Sequence, residues 1–379
     1  MLDSITALPL EQQIGQLFCI GLPGPEIDDS TRALIEHVSP GGVIIFGRNV
    51  SSPEQLRRLT GQVRNMSPVV PMIGIDQEGG LVDRLRRIFT PSPSARTIRQ
   101  HGDLAGARAL GRITGEVLRL LGFNMNFAPV MSIMTDDRDL LSNGLYSRSF
   151  GRSPGEVLGY TMVYLRGLQG AGCVGCLKHF PGIGSGEVDS HEEMPIVRLS
   201  HDDLIAQDLA PYIELFQRSD DRVRAVMVSH GGFPNIDIQQ GLAGGPIQPA
   251  SLNSGITSKL LREELGYKHV VVTDDLEMGA ISKHYEIEEA AQRAFFAGQD
   301  MLLICSKPEL IRRGYDALLK SARSGEITSD RLLASLTRIA ELKSIFQPPL
   351  EFDISRYRGL AAEVLQLNSK LNYTYGGAI

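Results

Sequence analysis

Short, uninterrupted apolar runs recur along the chain at residues 17–21, 42–46, 72–76, 124–130, 173–178, 224–229, 269–273 and 301–305. A strand with one wet face alternates apolar and polar residues, so runs without alternation predict strands buried on both faces. Helical patterns lie between them, at 29–38, 53–64, 107–121, 154–170, 202–218, 254–265, 286–297 and 308–322. Ser52-Pro53-Glu54 places an N-cap before a proline at the first helical position. Ser200 with Asp203 reads as an acidic relative of the capping box.

Eight alternating strand–helix units predict an α/β fold, a (β/α)8 TIM-type barrel. The other arrangement of such units is an open doubly wound sheet. That fold often carries GxGxxG after its first strand, and this chain has none there. The barrel is expected over residues 1–346. Pro348-Pro349 then breaks the pattern, and 347–379 is expected to form a helical tail. Its stripe of Leu360, Val364, Leu367 and Leu371 should pack on the barrel or on a partner subunit.

Composition narrows the function. A length of 379 residues suggests two to three average domains, but barrels of this type run to about 250 residues or more as one unit. The net charge of −6 and the lack of a basic run argue against nucleic acid. No apolar run is long enough to cross a membrane. The N-terminal stretch has no basic segment followed by an apolar core, so no signal peptide and a cytoplasmic location are expected. Four cysteines fit a reducing compartment. Cys173 and Cys176 form a CxxC, but they sit in a strand-like run with no second ligand pair, against a zinc or redox role.

Barrels of this kind gather functional groups at the C-terminal ends of their strands. Here those ends carry Asp76-Gln77-Glu78, Lys178-His179, Ser229-His230 and Asp274-Asp275. Asp274 emerges from a rigid apolar strand, a placement suited to a nucleophile or charge stabiliser. Adjacent residues point to opposite faces, so Asp275 is expected to cap the following helix. Three alternate glycines, Gly182, Gly184 and Gly186, suggest a mobile loop leading to Asp189-Ser190-His191. An extended backbone would put Asp189 and His191 on one side, where a carboxylate favours imidazolium and the pair can exchange a proton. The plainer reading of Asp-x-His is a solvated turn. Lys178, His179, Arg84 and Arg148 would add cations and donors to the same mouth, and Asp76 an acceptor for a diol or hydroxymethyl group. A metal held by Asp76, Glu78, His179 and His191 is the alternative use of these groups. The first strand end lacks the His-x-His of amidohydrolase-type barrels.

Together these motifs resemble family-3 glycoside hydrolases, specifically the single-domain β-N-acetylglucosaminidases of bacterial cell-wall recycling. The matching stretches are GGVIIFGRN (41–49), GIDQEGG (74–80), NFAP (126–129), YSRSFG (146–151), KHFPG (178–182), DSHEEMP (189–195), PASLN (249–253) and VVTDDLEM (271–278). The resemblance implies a TIM-type barrel and hydrolysis with retention, needing neither cofactor nor metal. It implies Asp274 as nucleophile, His191 as acid/base and Asp189 as the partner of His191. It further implies that Asp76, Arg84, Arg148, Lys178 and His179 hold a terminal N-acetylglucosamine. Leu81, Ser132 and Ile183 depart from the family's usual Arg, Asp and His. The expected partner is a small carbohydrate, and the expected assembly a monomer or homodimer. Three other outcomes stay open: the same chemistry on another β-glycoside, a phosphorylase, and a sugar-binding barrel without catalysis.

Overall fold

The strand order of the main sheet returns on itself. A computed structural model describes residues 1–218, 223–236 and 247–375. Its strands are β1 (Phe18–Gly21), β2 (Gly42–Ile45), β3 (Met72–Ile75), β4 (Gln77–Gly79), β5 (Val82–Asp83), β6 (Met125–Asn126), β7 (Val174–Gly175), β8 (Leu177–Phe180), β9 (Ala225–Val228), β10 (Val270–Asp275) and β11 (Met301–Ile304). β4 and β5 form a separate antiparallel hairpin. The others form one parallel sheet in the order β7-β6-β3-β2-β1-β11-β10-β9-β8. Only Cys176 separates β7 from β8, and its N–H is shared between the carbonyls of Asn126 and Ala128. β7 and β8 are therefore one interrupted strand, paired with β6 at its start and β9 at its end. Eight strands close into the expected (β/α)8 barrel.

The apolar runs have the burial that their lack of alternation implies. Every residue of β1, β2, β3, β9 and β11 is buried, with one face in the barrel and the other under helices. β3 spends one inward position on Gly74, where a Cβ would come within 2.5 Å of the Phe127 ring that occupies the space.

Four local departures have identifiable causes. The run at 124–130 forms ladder only at Met125–Asn126, because Pro129 has no N–H to donate, and Val130 rejoins Lys178 through a single bridge. The helix expected over 202–218 divides into His201–Ala206 and Ala210–Gln217. Asp208 between them turns inward to Arg138, and Pro211 starts the second piece. The segment Gly255–Glu264 winds with i→i+5 bonds rather than as an α-helix. A helix absent from the expected set, Ser329–Ser344, is capped by Thr328 and buries Leu332, Leu336 and Ile339.

The tail forms the helix Ile354–Lys370, which lies against Leu104–Leu120 with Tyr357, Leu360, Val364 and Leu367 buried. Arg356 Nη2 donates to Glu116 Oε2 at 2.6 Å, and Lys370 reaches Asp103 at 2.7 Å. Residues 376–379 of the tail lie outside the described residues. Among the described residues no helix is long and apolar enough to cross a membrane.

Candidate active site

The ends of β3 and β8 build the most deeply buried part of the site. Lys178 Nζ lies 2.6 Å from both Asp76 Oδ1 and Glu78 Oε1. Arg148 meets Glu78 through two parallel bonds, Nε to Oε2 at 2.8 Å and Nη2 to Oε1 at 2.9 Å. Such a planar two-point contact fixes direction as well as charge. Burial opposes the Glu78 charge, but Arg148 and Lys178 outweigh it and hold the carboxyl far below its ordinary range. Burial opposes the charge of Lys178 too, and Asp76 and Glu78 reverse the effect and raise it. The metal reading meets a positive obstacle here, since the Lys178 ammonium fills the space between the two carboxylates. Among the described residues no group of three or more His, Cys, Asp or Glu is arranged to hold a metal ion.

Asn126, fully buried, supports this corner from below. Its side chain accepts from Gln77 N at 2.9 Å and donates to Gln77 O at 2.9 Å, locking the chain between Asp76 and Glu78. Arg84 follows the hairpin with a buried Nε that has no partner among the described residues, 5.8 Å from the Phe46 ring as measured from its guanidinium carbon. A buried donor left open in this way faces a ligand or water.

Of the four groups expected to bring cations and donors to the mouth, His179 is not a cation: burial and then the positive charges of Arg148 and Lys178, against the pull of Asp274, bring its pKa down to about 3. It is a neutral imidazole at ordinary pH. Its Nε2 lies 3.8 Å from Asp274 Oδ2, too far for a hydrogen bond, and its buried Nδ1 has no partner among the described residues.

Asp274 stands at the end of β10 with 18% of its side chain exposed. Burial works against its charge. Its pKa is nevertheless lowered: with His179 and His230 both neutral at ordinary pH, the N–H of Asp275 at 2.9 Å and the Lys178 ammonium are the groups that favour the charge. The carboxylate is thus ionised and held in place. Asp275 points elsewhere, as the alternation of a strand requires. Its Oδ1 accepts from Glu277 N at 3.0 Å, so it caps the turn after β10, while the helix proper starts only at Gly279.

His230 was seen at a strand end but given no role. It is fully buried. Its Nε2 lies 2.9 Å from the Asp275 carbonyl, which can only accept, so that nitrogen carries the proton. Nδ1 then accepts from the Ser251 hydroxyl at 2.7 Å. Burial lowers its pKa, and the imidazole clamps the peptide that follows the Asp274–Asp275 pair.

Asp189 and His191 do meet, with Oδ1 to Nδ1 at 2.7 Å, but not on an extended backbone. Asp189 Oδ1 also accepts from His191 N at 2.9 Å, and Asp189 O accepts from Glu192 N and Glu193 N. This is an Asx turn, in which the side chain replaces a backbone acceptor. The His191 side chain is 68% exposed, open to a leaving group and to water. Burial would raise the Asp189 pKa, but its bonds to His191 lower it.

The loop that carries the pair is pinned at both ends. Asn143 Nδ2 donates to the carbonyls of Gly184 and Gly186 at 2.9 and 3.0 Å. On the far side, Gly279 N donates to His191 O at 3.0 Å, and Lys283 pairs with Glu193. Ile183 is buried in this loop, close enough to Gly231 that a Cβ there would lie 2.9 Å from Ile183 Cγ2. Ser132 is buried as well, its carbonyl accepting from Ser149 at 2.5 Å. Leu81 sits half exposed at the tip of the β4–β5 hairpin. All four cysteines are free and buried.

The sequence matches the model of the glycosyl hydrolase family 3 N terminal domain over residues 9–342. A β-hexosaminidase of Alkalilimnicola ehrlichii is 34% identical over 323 residues, 84% of this chain and 87% of the relative. Among solved structures, a glycoside hydrolase family 3 β-N-acetylglucosaminidase from Paenibacillus sp. superposes with a TM-score of 0.85 at 35% identity, over 95% of this chain and 69% of that one. A family-3 glycosyl hydrolase from Mycobacterium smegmatis gives 0.78 at 31% identity, over 91% and 99%.

Proposed function

The chain belongs to glycoside hydrolase family 3, and we propose that it removes terminal β-linked N-acetylglucosamine by a retaining double displacement. The observation that carries this reading is one tether. Gly279, five residues beyond Asp274, donates its N–H to the carbonyl of His191. An ionised, shielded carboxylate and an exposed imidazole are thereby fixed to the same short segment.

In the first step Asp274 attacks the anomeric carbon and the C–O bond to the leaving group breaks. His191 supplies the proton to the departing oxygen, and a covalent glycosyl-enzyme forms. Asp189 holds the His191 ring by the bond between its Oδ1 and His191 Nδ1. In the second step His191 takes a proton from water, which attacks the anomeric carbon and releases Asp274. Asp76, Glu78, Lys178, Arg148, Arg84 and the neutral His179 form a charged cradle that suits a hydroxyl-rich terminal sugar. Muropeptide-type fragments and chitooligosaccharides present such a terminus.

A panel of nitrophenyl glycosides, with and without the 2-acetamido group, tests the sugar. Preference for a sugar lacking that group would overturn the assignment. Asp274→Ala should abolish nitrophenol release from the N-acetylglucosaminide, and surviving activity would remove Asp274 as nucleophile. His191→Ala should harm substrates with poor leaving groups most, because activated aryl groups need little protonation. Equal losses on both kinds would end its role as acid.

A further inference from the structure

The tail helix is tied to the hairpin that carries Glu78 by a short chain of hydrogen bonds. Tyr357 Oη donates to Ile88 O at 2.6 Å, and Asn368 Nδ2 donates to Pro91 O at 2.9 Å. The Tyr357 ring is buried edge-on against Phe89, with centroids 5.2 Å apart. The tail thus grips both ends of the segment 88–91. The next residue, Ser92, is bonded to the hairpin twice: Gly80 N donates to Ser92 O at 2.9 Å, and Ser92 N donates to Asp83 Oδ2 at 2.8 Å.

Asp83 completes the path. Its other oxygen accepts from Gln77 Nε2 at 2.8 Å, and Gln77 Oε1 accepts from Leu85 N at 3.1 Å. Glu78 and Arg84 each adjoin one of these pinned residues. The hairpin also rests on this segment without slack: a Cβ on Gly79 would lie 2.4 Å from Pro93 O, and one on Gly80 2.6 Å from Ser94 Cβ. Both glycines have positive φ, 93° and 58°, a conformation that glycine takes without the penalty other residues would carry.

We propose that Tyr357 and Asn368 of the C-terminal helix are positioning residues for the sugar-binding hairpin, acting through the segment 88–92 and Asp83. The proposal rests on the site reading given above. Binding groups must be held to within about half an ångström, and packed, hydrogen-bonded supports do this. Loosening the support should weaken sugar binding while Asp274 and His191, carried on other elements, keep their geometry.

The test compares Tyr357→Phe, Asn368→Ala and their double with Lys370→Ala. The last removes an exposed ion pair of the same helix that has no link to segment 88–92. On nitrophenyl β-N-acetylglucosaminide, each of the first two should raise KM about fivefold, which is roughly 1 kcal/mol, with kcat within twofold. Lys370→Ala should leave KM unchanged. Combining Tyr357→Phe with Asp83→Asn should give less than the product of the single effects, because both cut one path. Amide exchange in residues 77–84 should quicken in Tyr357→Phe and Asn368→Ala but not in Lys370→Ala, and this readout holds whatever sugar the protein prefers. An unchanged KM with unchanged exchange in the double variant would overturn the proposal. So would an equal effect from Lys370→Ala, which would reduce the tail to general ballast. Failure of the wild type to hydrolyse the glycoside would strike the functional reading instead, and the exchange comparison would still decide this one.

Discussion

Gly279→Ala probes the tether between Asp274 and His191, the proposed nucleophile and proton donor, directly. An added Cβ would lie 2.3 Å from Glu192 O and 2.7 Å from His191 O. A carbon–oxygen contact needs about 3.3 Å, so the loop bearing His191 must retreat by roughly 1 Å. Misplacement on that scale costs about 100-fold in rate, or roughly 2.7 kcal/mol of barrier. The loss should fall on proton donation. For a substrate with an alkyl or sugar leaving group, kcat should drop about 100-fold. For an activated nitrophenyl glycoside the drop should be about tenfold or less. KM should stay within threefold, because Asp76, Glu78, Arg148 and Lys178 are carried on other segments. Overpacking should also cost about 1–3 kcal/mol of stability, so assays belong well below the melting temperature. The measurement is a pair of Michaelis curves per variant, one for each leaving group. If kcat on the poor leaving group stays within threefold of wild type, the tether does not position the acid. Equal loss on both substrates would instead mean that the displacement reached Asp274.

Three further outcomes follow from the buried charges. Lys178→Met should cost about 3–5 kcal/mol in urea unfolding and raise KM strongly, since Asp76 and Glu78 then face each other with only Arg148 as compensation; a mild variant would contradict the network. Burial, with the Glu277 and Asp274 charges adding to it, pushes the Asp275 pKa up to about 7, against about 3.9 unfolded. Between those values the folded protein keeps a proton that the unfolded chain releases, so this stability is full below pH 4 and lost as pH rises through 7. Asp275→Asn should therefore gain in melting temperature relative to wild type from pH 4 to pH 8, and a pH-independent gap would refute the shift. His230→Phe strips the Asp275 carbonyl of its donor and should cost about 1–3 kcal/mol; unchanged thermal unfolding would mean that the clamp is unimportant.

The barrel was legible because its strands are buried on both faces, which removes alternation and leaves eight short apolar runs. The polar residues at the ends of those runs marked the mouth for the same reason: few other positions tolerate charge so close to a core. What stayed hidden depends on distant partners. Glu78 looked like one more carboxylate until Arg148, seventy positions away, was seen bonded to it twice. Nothing in the sequence said whether His179 is a cation or a neutral donor, because its burial and cationic neighbours come from tertiary packing. The Asx turn at Asp189 met the same pairing that an extended chain would give, so spacing could not tell the two apart. The helix Ser329–Ser344 did carry a signal, a Thr328 cap and apolar residues at helical spacing, but stood outside the regular alternation.

The interrupted strand that joins the two edges of the sheet is also the one that bears Lys178 and His179. Residues before this seam supply Asp76, Glu78, Arg84 and Arg148, and residues after it supply Asp189, His191 and Asp274. A half-barrel fragment from either side therefore holds only one share of the constellation. Closing the ring is therefore also what brings the two shares of the pocket together.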